Sequence, residues 1–301
     1  MIMKLLQVEN EHTEEIEAKR PPFLLCLFLD GFGIAARTEV NAVALAKMPN
    51  FAKYIREYPV ALLSGETKDE RRRYWSLGTG QEDDAANFLK AETCLSEIIS
   101  RNGLRQLKIA ASEQFSFLSL FFNNNQEHSF AGEEFICVNT PSPEEPLRPL
   151  AKAISRAITE ALRKPKTDVI FASLPLAQEA ATRGDFQETI NNLQQIDKLL
   201  PKIITAVLNA EGLMIITAPY GNAEKTRDLA SDWGDKEATD SNVPFLLIGA
   251  KYQGKTIGLA DPLDGDLSVL APAGTLANFA PTVLSLLGIK DIINLNVKSL
   301  I

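Results

Sequence analysis

Residues 23–33 read Phe23-Leu24-Leu25-Cys26-Leu27-Phe28-Leu29-Asp30-Gly31-Phe32-Gly33, an apolar run that stops abruptly at an aspartate and a glycine. A strand with one wet face alternates apolar and polar residues, so an unbroken run of this kind marks a strand covered on both faces, as in a parallel sheet. Comparable runs recur at residues 60–63, 107–110, 117–121, 135–138, 169–172, 213–216 and 243–248. Helical periodicity separates several of them. It is clearest over 189–210, where Ile190, Leu193, Ile196, Leu200, Ile203, Ile204 and Val207 form one apolar stripe. Asp185 is the expected N-cap and Gly212 the expected stop. Further helices are expected over 82–101, 147–163 and 276–287. Strands alternating with helices imply right-handed crossovers, and hence a doubly wound α/β fold: a mainly parallel sheet with helices on both faces.

The chain has 301 residues, 45% of them hydrophobic and 23% charged, enough to bury a sizeable core. The expected organisation is a polar tail over residues 1–22, carrying Glu9, Glu11, Glu14 and Glu15 and ended by Pro21-Pro22, followed by one domain over 23–301. The tail does not have the pattern of a secretory signal. A net charge of -8 and a pI near 5.0 disfavour nucleic acid and anionic membranes as partners. No apolar stretch approaches the roughly 20 residues of a membrane helix. Cys26, Cys94 and Cys137 are odd in number and lack metal-ligand spacing, so they read as reduced core residues of a cytoplasmic protein.

In open α/β sheets ligands gather beyond the carboxyl ends of the strands, so the residues following each run are the ones to inspect. Asp30-Gly31-Phe32-Gly33 resembles the opening of the cofactor-independent phosphoglycerate mutases, a branch of the alkaline phosphatase superfamily. Asn41 to Asn50, Phe121-Phe122-Asn123-Asn124, Gly132-Glu133-Glu134, residues 216–224, Asn242-Val243-Pro244-Phe245 and residues 276–288 resemble later family segments in the same order. The resemblance implies an alkaline-phosphatase-like core. It also implies two divalent ions, manganese or a similar metal, held by Asp and His, and a serine that takes up the transferred phosphoryl group. Two such ions activate the nucleophile and neutralise phosphoryl charge.

The departures from that pattern fall on the chemistry. The family's Asp-His-Gly-Asn-Ala-Glu metal motif is represented by Pro219-Tyr220-Gly221-Asn222-Ala223-Glu224. Proline offers no donor atom and neutral tyrosine binds such ions poorly. The histidine expected before Val243 falls near Ala238, and residues 176–184 lack the family's aspartate and histidine. The nucleophile segment is deleted, and Ser64 and Ser76 are poor substitutes. The whole chain has two histidines, His12 in the tail and His128 in an expected solvated loop, against at least three in the family site. Only Gln81 to Ser112 stands where the family inserts its substrate domain. The resemblance therefore implies no catalytic residues and a vestigial active site at Asp30, Pro219, Tyr220, Asn222 and Ala238. Asp30 is either a relic held by hydrogen bonds or a surviving metal ligand.

Two charged stretches remain. Lys68, Arg71, Arg72 and Arg73, beside Tyr74 and Trp75, read as an exposed loop able to grip a phosphate or an acidic protein surface. Asp228, Asp232, Asp235, Glu237 and Asp240 could join Asp30 around a hard cation such as magnesium. Ser173 and Thr217 lie near strand ends without a histidine to act as base, which excludes a Ser-His-Asp hydrolase. The expected function is that of a catalytically inactive phosphoglycerate-mutase-like pseudoenzyme, a binding or scaffold subunit with a protein partner or a second copy and no cofactor. The alternatives are a metal-dependent phosphatase or phosphotransferase of altered chemistry, using manganese or magnesium, and a phosphate sensor without turnover.

Overall fold

The computed structural model describes residues 20–65, 67–82, 84–142, 145–163, 166–226, 237–256, 265–290 and 297–301. Its strands are β1 (Leu24–Phe28), β2 (Val60–Ser64), β3 (Gln106–Ala111), β4 (Glu133–Val138), β5 (Val169–Ser173), β6 (Leu213–Thr217), β7 (Val243–Ile248) and β8 (Gly274–Thr275). They form one sheet in the order β4-β3-β5-β1-β6-β7-β2-β8. All pairings are parallel except those of β7, which runs antiparallel to β6 and to β2. Every residue of β1, β5 and β6 is buried, as their unbroken apolar sequences require. Phe28 is in register with Ser173 on one side and Thr217 on the other, so the chain leaves β1, β5 and β6 at the same edge.

The helices are α1 (Ala42–Leu45), α2 (Pro49–Glu57), α3 (Glu70–Thr79), α4 (Leu95–Arg101), α5 (Arg148–Arg163), α6 (Leu176–Thr182), α7 (Phe186–Asn209) and α8 (Phe279–Leu286). They pack as two groups: α1, α2, α5 and α6 against α7, and α3, α4 and α8 against one another. Helices α4 and α5 both touch β3 yet belong to different groups, so the groups cover opposite faces of the sheet. The expected apolar stripe of α7 is buried at Leu193, Ile196, Leu200, Ile203, Ile204 and Val207. Asp185 caps that helix, accepting from the Glu188 amide at 2.8 Å.

Four expectations are corrected. Residues 117–121 are a π-helical turn and not a strand, because β3 and β4 pair directly and leave no sheet position between them. The turn is fastened from below by Lys108, whose ammonium donates to the Leu118 carbonyl at 2.9 Å. The helix expected over 82–101 is reduced to α4. Asp84 instead accepts from the Ala86 amide and the Asn87 side chain, both at 2.9 Å, and Leu89 sits at a φ of 62°, which a helix does not permit. The basic stretch around Arg71 to Arg73 opens α3, with Asp69 as its N-cap, and is not a loop. Cys137 is exposed on β4, whereas Cys26 and Cys94 are buried. Among the described residues no helix is long and apolar enough to cross a membrane. Asp228, Asp232, Asp235, His12 and nearly all of the expected tail lie outside the described residues.

Candidate functional site

Asp30 follows β1 and is fully buried. Tyr74, from the middle of α3, donates its hydroxyl to Asp30 Oδ1 at 2.6 Å, and Ser173, the last residue of β5, donates to Asp30 Oδ2. Both carboxyl oxygens are thus engaged by hydroxyls. Burial pushes the Asp30 carboxyl up to about 7, against the pull of these two hydrogen bonds and with help from the charges of Glu70 and Glu179. Glu70, at the start of α3, is also raised to about 7 by burial and by Asp69 and Glu179. Burial raises Glu179 on α6 as well, and Gln114 donates to it at 3.1 Å.

Tyr220 lies beyond β6 and is fully buried, with its ring 6.4 Å from that of Tyr74 in an edge-on arrangement. Its hydroxyl meets no hydrogen-bond partner among the described residues. Burial, then the charges of Asp30 and Glu70, raise its pKa well above the ordinary value, which keeps the phenol neutral. Arg73, 1% exposed, donates its Nε to the Pro219 carbonyl and its Nη1 to the Thr67 carbonyl at 3.1 Å. That burial removes Arg73 from the surface expected to contact a partner. Arg71 stays exposed and chelates Asp69 at 3.0 and 2.9 Å, while Arg72 is half-buried.

Glycine is required where these loops meet. Gly31 has a φ of +81°, and a Cβ there would lie 2.8 Å from the backbone of Gln178, whose amide bonds the Asp30 carbonyl at 3.2 Å. Gly31 also bridges Gly221, which bridges Thr239, so the loops after β1 and β6 and the approach to β7 are tied together. Asn222 donates to the Glu237 carbonyl at 2.8 Å, and Ala238 is 5% exposed. The five expected vestigial residues therefore fall on the strand-end loops bound together by these contacts. The sequence reading did not assign Tyr74, Ser173, Glu70 or Glu179 to Asp30. Ser173 was accessible in principle, since it ends an apolar run of the same kind as the one before Asp30.

These residues do not fit a pair of divalent metals. Hard or borderline cations need several carboxylate or imidazole donors converging on one point. Here Asp30 has both oxygens occupied and is flanked by a proline, a neutral phenol and an alanine, while Glu224, the other buried carboxyl of these loops, packs against Gly33 and Gly221 and accepts from Thr239. Among the described residues no group of three or more His, Cys, Asp or Glu could hold an ion. A cavity of about 380 Å³ is lined by Lys68, Asp69, Glu70, Arg71, Phe117, Glu237 and Ala238.

Comparison with known proteins places this geometry in a lineage. The family model described as the metalloenzyme superfamily matches residues 22–291. The 2,3-bisphosphoglycerate-independent phosphoglycerate mutase of Anaplasma phagocytophilum (strain HZ) is 32% identical over 202 residues, 65% of this chain and 37% of that protein. Among solved structures, a phosphoglycerate mutase of Leishmania mexicana, determined at low cobalt concentration, aligns with a TM-score of 0.58 at 23% identity, covering 70% of this chain and 39% of the other. Alkaline phosphatase from the Antarctic bacterium TAB5 aligns with a TM-score of 0.54 at 11% identity, covering 89% and 98%. The chain spans under two fifths of the length of the curated mutases it matches. With nearly its whole length matched by the family model and an alkaline-phosphatase-like fold beneath it, the chain belongs to the metalloenzyme superfamily.

Proposed function

We propose that the chain is a catalytically inactive phosphoglycerate-mutase-like protein that acts as a binding or scaffold subunit, without a metal cofactor. The observation that carries this reading is the state of Asp30: its two oxygens accept the hydroxyls of Tyr74 and Ser173, and Tyr220 packs against Tyr74 where the family motif has its metal-binding pair. Protein atoms thereby supply the contacts that ions would otherwise make. A retained fold does not entail the family's usual chemistry. The partner is a protein or a second copy, met at the cavity that Lys68, Arg71 and Phe117 line, and the setting is the cytoplasm. The acidic composition speaks against nucleic acid and membrane surfaces.

Calorimetric titration of manganese and magnesium into the purified protein, with p-nitrophenyl phosphate hydrolysis alongside, tests the inactivity. No saturable heat and no metal-stimulated hydrolysis are expected. A tight site, with hydrolysis lost in Asp30→Asn, would reject it. Light scattering on the protein, with Lys68→Glu/Arg71→Glu, tests the surface: self-association or capture of a purified partner should fall at least several-fold in the variant.

The second reading, a metal-dependent phosphatase or phosphotransferase using magnesium or manganese, is supported by the carboxyls of Asp30, Glu70 and Glu179, each raised by burial and by charged neighbours, although they form no group able to hold an ion by themselves. Displaced carboxyl acidities in a cleft are a common mark of working sites, and the titration above separates the two readings.

A further inference from the structure

A second cavity, of about 640 Å³, lies between the segment after Asp30, helices α1 and α2, and the turn at Gly265–Ser268. It shares no lining residue with the cavity beside Glu70. Its size falls in the range of roughly 300–1,000 Å³ typical of small-molecule sites. Phe32, Met48, Phe51, Ile55 and Leu267 make its wall apolar. Its frame is fixed by hydrogen bonds. Asn41 donates to the carbonyls of Ala35 and Ala36, both at 3.1 Å, and accepts from the Ala44 amide at 2.8 Å, binding the rim to α1. Asp266, the anion on this lining, accepts with Oδ1 from the amide and hydroxyl of Ser268 at 2.9 and 2.7 Å, which fixes it to its own turn, so the lining carries two cations against one carboxylate.

Charge at the mouth runs against that of the molecule. The chain carries a net charge of -8, yet the cavity is lined by two exposed cations, Arg37 and Lys47, neither of which is ion-paired to a described residue. Arg56 adds a third nearby, its Nε 3.6 Å from where a Cβ on Gly265 would stand.

We infer that this cavity binds a medium-chain acyl carboxylate, its hydrocarbon against Phe32, Met48, Phe51, Ile55 and Leu267 and its carboxylate between Arg37 and Lys47. An apolar interior selects the chain, and a guanidinium and an ammonium without an ion pair among the described residues select the anionic head. The site is independent of the vestigial one and does not depend on the inactivity proposed above.

Calorimetry of octanoate, decanoate and laurate against the full chain, below their micellar concentrations, tests it. One saturable site is expected, with affinity rising about fourfold for each added methylene. Arg37→Glu/Lys47→Glu, confined to exposed residues, should weaken laurate binding by about tenfold or more, and Ala52→Trp, which fills the cavity, should abolish it. Four results would overturn the inference: no saturable binding of laurate, equal affinity for dodecyltrimethylammonium, indifference to the charge reversal, or a stoichiometry above one that survives Ala52→Trp.

Discussion

Replacing Asp30 by asparagine should make the protein more stable, and increasingly so as pH rises. The carboxyl titrates near 3.8 in an unfolded chain and near 7 in the folded one, with burial as the leading cause. Because the folded value is the higher, the folded state holds the proton longer. The stability this group contributes is fully present below about 3.8 and is lost as pH rises through about 7. At about 1.4 kcal/mol per pH unit, that gap amounts to roughly 4 kcal/mol. Asparagine matches the neutral acid in shape, keeps one oxygen to accept a hydroxyl, and presents an amide that the other hydroxyl can accept by rotating. Urea unfolding at pH 4, 5, 6, 7 and 8 gives the assay. The stability difference between Asp30→Asn and wild type should be small at pH 4 and should grow with pH, reaching up to roughly 4 kcal/mol in favour of the variant by pH 8. Comparing the two proteins cancels groups such as Asp69, whose carboxyl is held low by Arg71 and whose contribution runs in the opposite direction. A difference that does not change with pH, or an asparagine variant less stable at pH 8, would refute the reasoning and point to an Asp30 that is held ionised by a cation.

The neighbouring hydroxyls should separate in the same assay: Tyr74→Phe removes a 2.6 Å donor to Asp30 and should cost about 1–3 kcal/mol at pH 8, where the carboxyl is ionised. Tyr220→Phe removes a buried hydroxyl with no partner among the described residues and should be neutral or slightly stabilising. Lys108→Met should be among the most damaging substitutions in the chain, at about 3–5 kcal/mol by thermal or urea unfolding, because it strands Glu133, whose carboxylate sits buried 2.7 Å from the ammonium. A loss below about 1 kcal/mol would mean that Glu133 takes up a proton or reaches water when Lys108 is gone.

The strand runs were readable because a doubly covered strand is apolar along its length, and residues 24–28, 169–172 and 213–216 satisfy that locally. That Pro219-Tyr220 offers no carboxylate or imidazole was readable for a related reason, since a residue's donor atoms are a property of its type. Arg71 to Arg73 were harder. Written in a row they look like one solvated patch, but successive residues on a helix turn by about 100°, so Arg71 faces water while Arg73 faces the site. Nothing local marks Lys108, which falls inside the strand-like run 107–110, as special. It is a buried cation satisfied by Ser96, Leu118, Asn123 and Glu133, which come from separate stretches of chain.

Apolar patterning and residue type alone thus determined that this protein forms a mostly parallel α/β sheet and that Pro219, Tyr220 and Ala238 bring no carboxylate or imidazole to its strand ends, because both follow from which atoms the chain carries and how often apolar ones recur. Only the tertiary structure decided what stands in their place. The two hydroxyls on Asp30 arrive from α3 and from the end of β5, 44 and 143 residues away along the chain. Neither pairing is written in a local pattern. Each exists because parallel neighbours in the sheet end at one edge, and because burial there leaves a carboxyl no solvent to turn to.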